Sequence, residues 1–287
     1  MTAVGDILAR LTERLRAAGI PSARLDARIL LAHALGVDGT QVFSHPERRL
    51  TAAEEGAVES LAVRRLGREP MSHIVGRREF WSLSFKVTAD TLDPRPDTET
   101  AVAAVLDALP DRKAPLRLLD FGTGGGCILL ALLSELPAAI GLGVDASRAA
   151  LAVAVENAKA LALDHRASFV FGDWGREIDG LFDVIVSNPP YIPDDEIGGL
   201  EAEVSVFEPR GALAGGLDGL ACYRAMGPDV MRLLKPNGVA VLEVGEGQAE
   251  AVSLILKNNG LVPIGVRRDL AGVARCVIVS RPAEQAK

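Results

Sequence analysis

Leu116-Arg-Leu-Leu-Asp-Phe121, followed directly by Gly122-Thr-Gly-Gly-Gly126, is the stretch whose reading decides the fold. A short apolar run closed by an acid and then by glycines reads as a buried strand that ends in a loop at the start of a helix. Outward from it, strand and helix alternate. Strand-like runs recur at Gly141–Asp145, Ser168–Phe171, Phe182–Ser187 and Val239–Val244, separated by helical stretches at about 97–108, 127–136, 147–162 and 220–234. Strands of nearly continuous hydrophobicity belong to a parallel sheet covered on both faces. Two further runs, Pro263–Asp269 and Ala274–Ser280, have only a short connection, so they should pair antiparallel. The expected architecture is α/β, a doubly wound and mostly parallel seven-stranded sheet.

Before residue 76 the pattern is helical. Val4, Ile7, Leu8, Leu11 and Leu15 fall on one helix face, and Gly19-Ile-Pro21 ends that helix. Ser22 is positioned to cap a second helix that runs through Leu25, Ile29, Leu30 and Leu35 to Gly36. Thr51-Ala-Ala-Glu54 has the spacing of a capping box before a third helix containing Val58, Leu61 and Leu66. Phe80-Trp-Ser-Leu-Ser-Phe-Lys-Val87 alternates and is aromatic, as a strand or half of a hairpin would be, and Asp93-Pro-Arg-Pro-Asp97 is a stiff turn. The expected domains are a helical substrate-recognition bundle over 1–75, a hairpin linker over 76–95 and a catalytic domain over 96–287.

Bulk composition narrows the function classes. About 48% of the 287 residues are hydrophobic, yet no apolar run approaches the roughly 18–20 residues that cross a bilayer. Met1-Thr-Ala-Val-Gly-Asp6 lacks the charged and apolar regions of a signal peptide, so a cytoplasmic location is expected. Cys127, Cys222 and Cys276 stand far apart, and His33, His45, His73 and His165 form no ligand pattern, so neither a metal site nor a disulfide is expected. The net charge of −7 argues against gripping nucleic acid through bulk charge, and no direct sequence-specific nucleic-acid contact is expected. Residues 1–78 nevertheless carry a balance of +3, with Arg64, Arg65, Arg68, Arg77 and Arg78 clustered near their end. That cluster is a candidate docking surface for an acidic partner, against the alternative of a solvated helix face.

The motifs gather at strand ends. Glycines at 122, 124, 125 and 126, with Thr123 between them, let the backbone pass close to a ligand in the crevice where open α/β sheets bind. The dinucleotide fingerprint would need Gly or Ala at 127, where Cys127 stands, so the spacing looks instead like the loop that holds S-adenosyl-L-methionine. Asp145 closes the next strand, where an acid can accept hydrogen bonds from a ribose diol. Gly172-Asp173-Trp174 closes the third, where a carboxylate can take an adenine amino group and an indole can wall the ring.

Asn188-Pro189-Pro190-Tyr191 follows Phe182–Ser187 on the same edge. An amide or aromatic-amine nitrogen is a sluggish nucleophile, since its lone pair is delocalised, and it needs acceptors on its N–H groups and accurate aim at the donor methyl. Asn188 offers a side-chain carbonyl. Pro189 offers a backbone carbonyl on a φ-locked residue, Pro190 stiffens the corner, and Tyr191 offers a ring to stack on a planar group. These four are the candidate catalytic and acceptor-binding residues.

Together with Phe80-Trp-Ser82, Pro94-Arg-Pro-Asp-Thr-Glu99, Phe207-Glu-Pro-Arg210 and Gly215-Gly-Leu-Asp-Gly219, these motifs make the chain resemble the HemK/PrmC family of release-factor glutamine methyltransferases along almost its whole length. The resemblance implies a class I S-adenosylmethionine-dependent methyltransferase fold with an N-terminal helical domain. It also implies methyl transfer to the side-chain N5 of the glutamine in the Gly-Gly-Gln loop of peptide-chain release factors. By the same resemblance Gly122 to Gly126, Asp145, Asp173 and Trp174 hold the cofactor and Asn188 to Tyr191 the glutamine, with Asn188 also reaching the cofactor. The partner is then a release factor, and the enzyme a monomer. A ribosomal-protein glutamine, an adenine-N6 acceptor and a cofactor-binding adaptor are the other readings. The chain departs from the family at Gly125, where Ser or Thr is usual, at Cys127, where Ala is usual, and at Asp93, where an apolar residue is common.

Overall fold

The computed structural model describes residues 1–283. Their backbone divides into two compact units, Met1–Gly76 with Glu201–Phe207, and Arg77–Leu200 with the residues from Glu208 onward.

The first unit is built from α1 (Val4–Ala17), α2 (Ala23–Leu35), α3 (Gly39–Ser44), α4 (Ala52–Leu66) and α5 (Met71–Val75), joined by the short α9 (Ala202–Ser205) from later in the chain. Val4, Ile7, Leu11 and Leu15 of α1 are buried against Ala27, Leu30 and Leu31 of α2 and Val58 and Ala62 of α4. The capping box of Thr51 and Glu54 is formed, and Gly36 ends α2 in the left-handed conformation. Ser22 makes no side-chain cap, and Leu25 is exposed rather than on the buried face. The short helices α3 and α5 have too few turns to show a periodicity in sequence.

Three arginines of the cluster are paired with acids. Arg65 is 5% exposed, and it donates to Asp26 at 2.7 Å and to Glu203 at 2.9 Å. Arg68 pairs with Glu203 and Arg64 with Glu69. Of the arginines offered as a docking surface, these three are engaged inside their own unit: Asp26 and Glu203 fold against Arg65 and Arg68 from 39 or more residues away, where composition cannot locate them, and Glu69 lies five residues from Arg64.

The second unit opens with a hairpin, β1 (Arg77–Phe80) and β2 (Leu83–Lys86). The run that reads as one strand is folded back on itself at Trp81-Ser82, both at positive φ. Two-residue hairpins favour that geometry, though usually with Asn or Gly. Here the backbone N–H of Trp81 donates to Glu99 at 2.8 Å and its indole N–H to Glu135 at 2.9 Å, which offsets the strain of a bulky residue there. The hairpin is no free linker, since Phe80 and Phe85 are fully buried in the core of this unit.

The sheet follows as β3 (Arg117–Phe121), β4 (Ile140–Asp145), β5 (Ala167–Phe171), β6 (Phe182–Ser187), β7 (Leu234–Glu243), β8 (Val262–Arg268) and β9 (Ala274–Ser280). Spatial order is β5-β4-β3-β6-β7-β9-β8, with the first five strands parallel and β9 antiparallel to both neighbours. Alternation sorts side chains to two faces. Leu118 and Val184 join the core with α6 (Glu99–Ala108) and α7 (Cys127–Glu135), while Leu119 and Ile185 join α10 (Ala221–Leu233) and α11 (Ala249–Asn258). The α8 helix (Arg148–Ala160) covers β4 and β5. Ile128 to Leu133 are buried consecutively, as in a helix enclosed on every side. The α11 helix is absent from the sequence expectation. Its start lacks a capping side chain: the Gln248 side-chain oxygen at that position accepts from the Gly245 N–H at 3.0 Å, while its NH2 donates to Tyr191.

Candidate active site

Strand register brings the motifs together. Phe121 pairs with Val144 and Ser187, Asp145 with Phe171, and Ser187 with Leu242. The residues that follow β3, β5 and β6, and the Asp145 that ends β4, therefore share one edge of the sheet. A cavity of about 370 Å³ opens there. Gly122, Gly124, Asp145, Asp173, Trp174, Asn188 and Pro190 line it. Thr123, Gly125, Gly126, Pro189 and Tyr191 are not among its lining residues. Thr91, Leu92, Ser147, Pro209, Ala212 and Cys222 do line it and were not singled out as site residues. Pro209 alone carried a signal, as part of Phe207-Glu-Pro-Arg210.

The glycine loop is held from below. Gly122, Gly124 and Gly126 all have positive φ, a region glycine occupies without a Cβ penalty. The Thr123 N–H donates to Val144 O at 3.0 Å, and its hydroxyl to the Asp120 carboxylate at 2.7 Å. Asp120 is buried with Oδ1 unpartnered, and burial pushes its carboxyl up to about 7. Gly125 has no positive φ; its carbonyl accepts from Asn157 at 2.8 Å, and the same side chain brackets Lys86 of the hairpin.

Asp145 is a brace as well as a lining group. One oxygen accepts from Gly124 N–H at 2.8 Å and the other from Ser147 N–H at 2.8 Å. Burial raises its pKa, and the two amides oppose that shift. Each oxygen keeps a lone pair for a ligand hydroxyl. Trp174 sits at positive φ with its ring edge-on to Phe121, 6.4 Å between centroids, and the residue both packs on the core and lines the cavity. Asp173 is exposed and pairs with Arg176 at 3.3 Å.

At the proline corner, Asn188 Nδ2 donates to the Thr98 hydroxyl at 3.2 Å. Thr98 belongs to the Pro94–Glu99 motif, which the sequence marks without giving it a role. Tyr191 packs against Gly245 and the core beneath, and burial pushes its phenol up to about 12. Its carbonyl accepts from Gln248 at 2.9 Å. A Cβ on Gly215 would lie 2.8 Å from the Tyr191 backbone, so the Gly215–Gly219 motif is a seat for the corner. Beside it the Arg95 guanidinium pairs with Glu208, which burial, opposed by Arg95, holds up at about 7.

A seven-stranded sheet of this order, with a glycine loop, a strand-end acid and an Asn-Pro-Pro-Tyr corner around one cavity, defines a class I S-adenosylmethionine-dependent methyltransferase. Family comparison matches the PrmC N-terminal domain over residues 6–76 and the methyltransferase small domain over residues 95–202. The release factor glutamine methyltransferase of Rhodospirillum rubrum is 48% identical over 98% of this chain and 86% of its own. That of Caulobacter vibrioides is 45% identical over 95% and 94%. The solved catalytic domain of hMettl16, crystallised with a MAT2A 3′UTR hairpin, shares the fold at a TM-score of 0.59 and 16% identity, over 79% of this chain and 84% of that one. The chain belongs to the release factor glutamine methyltransferase family.

Proposed function

We propose that this cavity transfers a methyl group from S-adenosyl-L-methionine to the side-chain N5 of the glutamine in the Gly-Gly-Gln loop of peptide-chain release factors. The observation that carries the reading is the Asn188 carboxamide. It lines the cavity with its NH2 engaged by Thr98, which leaves its oxygen for an acceptor N–H. The residues present suit the cofactor. Backbone without side chains lies at Gly122 and Gly124, Asp145 offers its remaining lone pairs to a ribose diol, and Asp173 and Trp174 suit an adenine. Bound there, S-adenosyl-L-methionine supplies an electrophilic sulfonium methyl. Asn188 and the Pro189 carbonyl orient the glutamine NH2, and Pro190 holds the corner stiff. No strong base is required beforehand, since the proton can leave to water after transfer.

Release-factor recognition is assigned to the helical unit. The substrate is protein rather than nucleic acid, in keeping with a net charge of −7 and with arginines consumed in internal pairs. Among the described residues no helix is long and apolar enough to cross a membrane, and we place the reaction in the cytoplasm, where release factors act.

The test incubates the protein with labelled cofactor, recombinant release factors, ribosomes and DNA, and locates the label by mass spectrometry. One methyl on the loop glutamine is expected. Asn188→Ala should keep cofactor affinity within about threefold and lower transfer by about 100-fold or more. Label on rRNA, DNA or a ribosomal protein, with none on a release factor, overturns the reading.

A further inference from the structure

Asn188 presents a problem of symmetry. A carboxamide has two ends of nearly equal size, and only the oxygen can accept from the acceptor amide. Thr98 cannot choose between them, because a hydroxyl donates as readily as it accepts. A third group does discriminate. Parallel pairing of β6 with β7 sets Ser187 beside Leu242, so Asn188, just past the end of β6, comes next to Glu243, the last residue of β7. The Glu243 carboxyl is 2% exposed, with the Thr98 hydroxyl and the Asn188 carboxamide beside it. Its backbone carbonyl accepts from the Tyr223 hydroxyl at 2.7 Å, which pins the strand end. Its second oxygen, Oε2, is buried without a partner. Burying a carboxyl in that way costs stability that an apolar residue of similar volume would not, so packing alone does not account for it.

We propose that Glu243 is a positioning residue for methyl transfer, holding with Thr98 the NH2 end of Asn188 so that the Asn188 oxygen faces the acceptor amide. This rests on the methyltransferase reading above. An ionised carboxylate only accepts hydrogen bonds, so it attracts the NH2 end of Asn188 and repels its oxygen. The flipped carboxamide would present NH2 to NH2 at the acceptor and lose its aim.

Burial, opposed by Thr98, Arg275 and Asn188, holds the Glu243 carboxyl up at about 7. Arg275 and Asp97 are the charged groups around it, and Tyr191, Tyr223 and Cys276 stand near it with burial-raised pKa values that keep them neutral. Protonated Glu243 becomes able to donate, and its preference for the NH2 end weakens.

The experiment compares Glu243→Gln, Thr98→Val and Thr98→Ser with wild type by kcat, KM and cofactor affinity from calorimetry. Glu243→Gln keeps the shape but can hydrogen-bond either end of Asn188. It should lower kcat by about tenfold at pH 8 while cofactor affinity stays within about twofold, and the gap should narrow at pH 6. Thr98→Val should lower kcat similarly, and Thr98→Ser, which restores the hydroxyl, should recover most of that loss. Unchanged kcat in Glu243→Gln and Thr98→Val overturns the proposal. So does a loss of kcat that tracks an equal loss of cofactor affinity, or that is the same at both pH values. Wild-type protein that leaves release-factor glutamine unmethylated would instead overturn the underlying function, an outcome read from wild type alone.

Discussion

Gly219 faces the carbonyl oxygen of Tyr191 so closely that a Cβ at Gly219 would lie 2.3 Å from it and 2.5 Å from the Gln248 amide nitrogen. Gly219 also has a φ of +72°, unfavourable for any residue with a side chain. Gly219→Ala must therefore push the proline corner away from its seat. It should lower methyl transfer by about tenfold or more while cofactor affinity, set mostly by β3 to β5, changes little. Steady-state kinetics beside calorimetry checks this, and wild-type kcat in the variant would show that the seat does not position the corner.

Gly125 is a glycine its conformation does not require. Its φ is not positive, and an added Cβ would make only ordinary contacts from 3.6 Å outward, with Asn157, Thr91 and Val153. Gly125→Ala removes backbone freedom from the unfolded chain and should stabilise the protein by about 0.4–1 kcal/mol. A rise in the denaturant midpoint at unchanged slope is the expected record, and a fall would mean that the loop needs its glycine.

The pH dependence of stability has a definite sign. Burial raises Asp120, Glu208 and Glu243 from ordinary carboxyl values to about 7 each. A carboxyl whose pKa is higher folded than unfolded contributes stability that is fully present below the unfolded value and is lost as pH rises through the folded one. Between about 4.5 and about 7 the cofactor-free protein should lose stability with rising pH. Removing the ionisable group at Glu243 should relieve about 3 kcal/mol of that loss at pH 8, at 1.36 kcal/mol per pH unit. Glu243→Gln should then unfold at higher denaturant than wild type at pH 8 and close to it at pH 5. Equal displacement at both pH values would locate the effect in packing instead.

Arg65 is the counterion of two acids inside the helical unit. Asp26 and Arg65 have side chains only 4% and 6% exposed. Arg65→Met leaves Asp26 buried without its partner and should cost about 3–5 kcal/mol, whereas Arg65→Met with Asp26→Leu should recover much of that. Chemical denaturation of the two variants decides the matter, and a cost below about 1 kcal/mol for the single change would mean the pair contributes little.

The parallel strands were legible in sequence because a strand buried on both faces writes itself as a continuous apolar run. The glycine loop, Asp145 and Asn188 were legible because each ends such a run. Trp81-Ser82 was not, since the side chains that hold its positive φ, Glu99 and Glu135, are 18 and 54 residues away. The roles of Thr98, Glu243 and Gln248 are hidden in the sequence for the same reason. Each acquires its role from strand register or a helix start, and none carries a spacing that points at Asn188 or Tyr191. The arginines misled in the opposite direction, because charge in a composition count is not yet charge on a surface. The sequence offers Tyr191 as a stacking ring, and its packing against Gly245 makes it also part of the corner's footing.

The passage of the chain through the helical unit twice, at Met1–Gly76 and again at Glu201–Phe207, has a consequence for how such enzymes can be cut or recombined. A fragment starting at Arg77 would retain Glu203 but discard Arg65 and Arg68, stranding an acid whose counterions had been amputated. Swapping the helical unit between relatives therefore means exchanging two non-contiguous pieces at once, and a chimera spliced at a single junction near residue 76 would draw Arg65 and Glu203 from different parents.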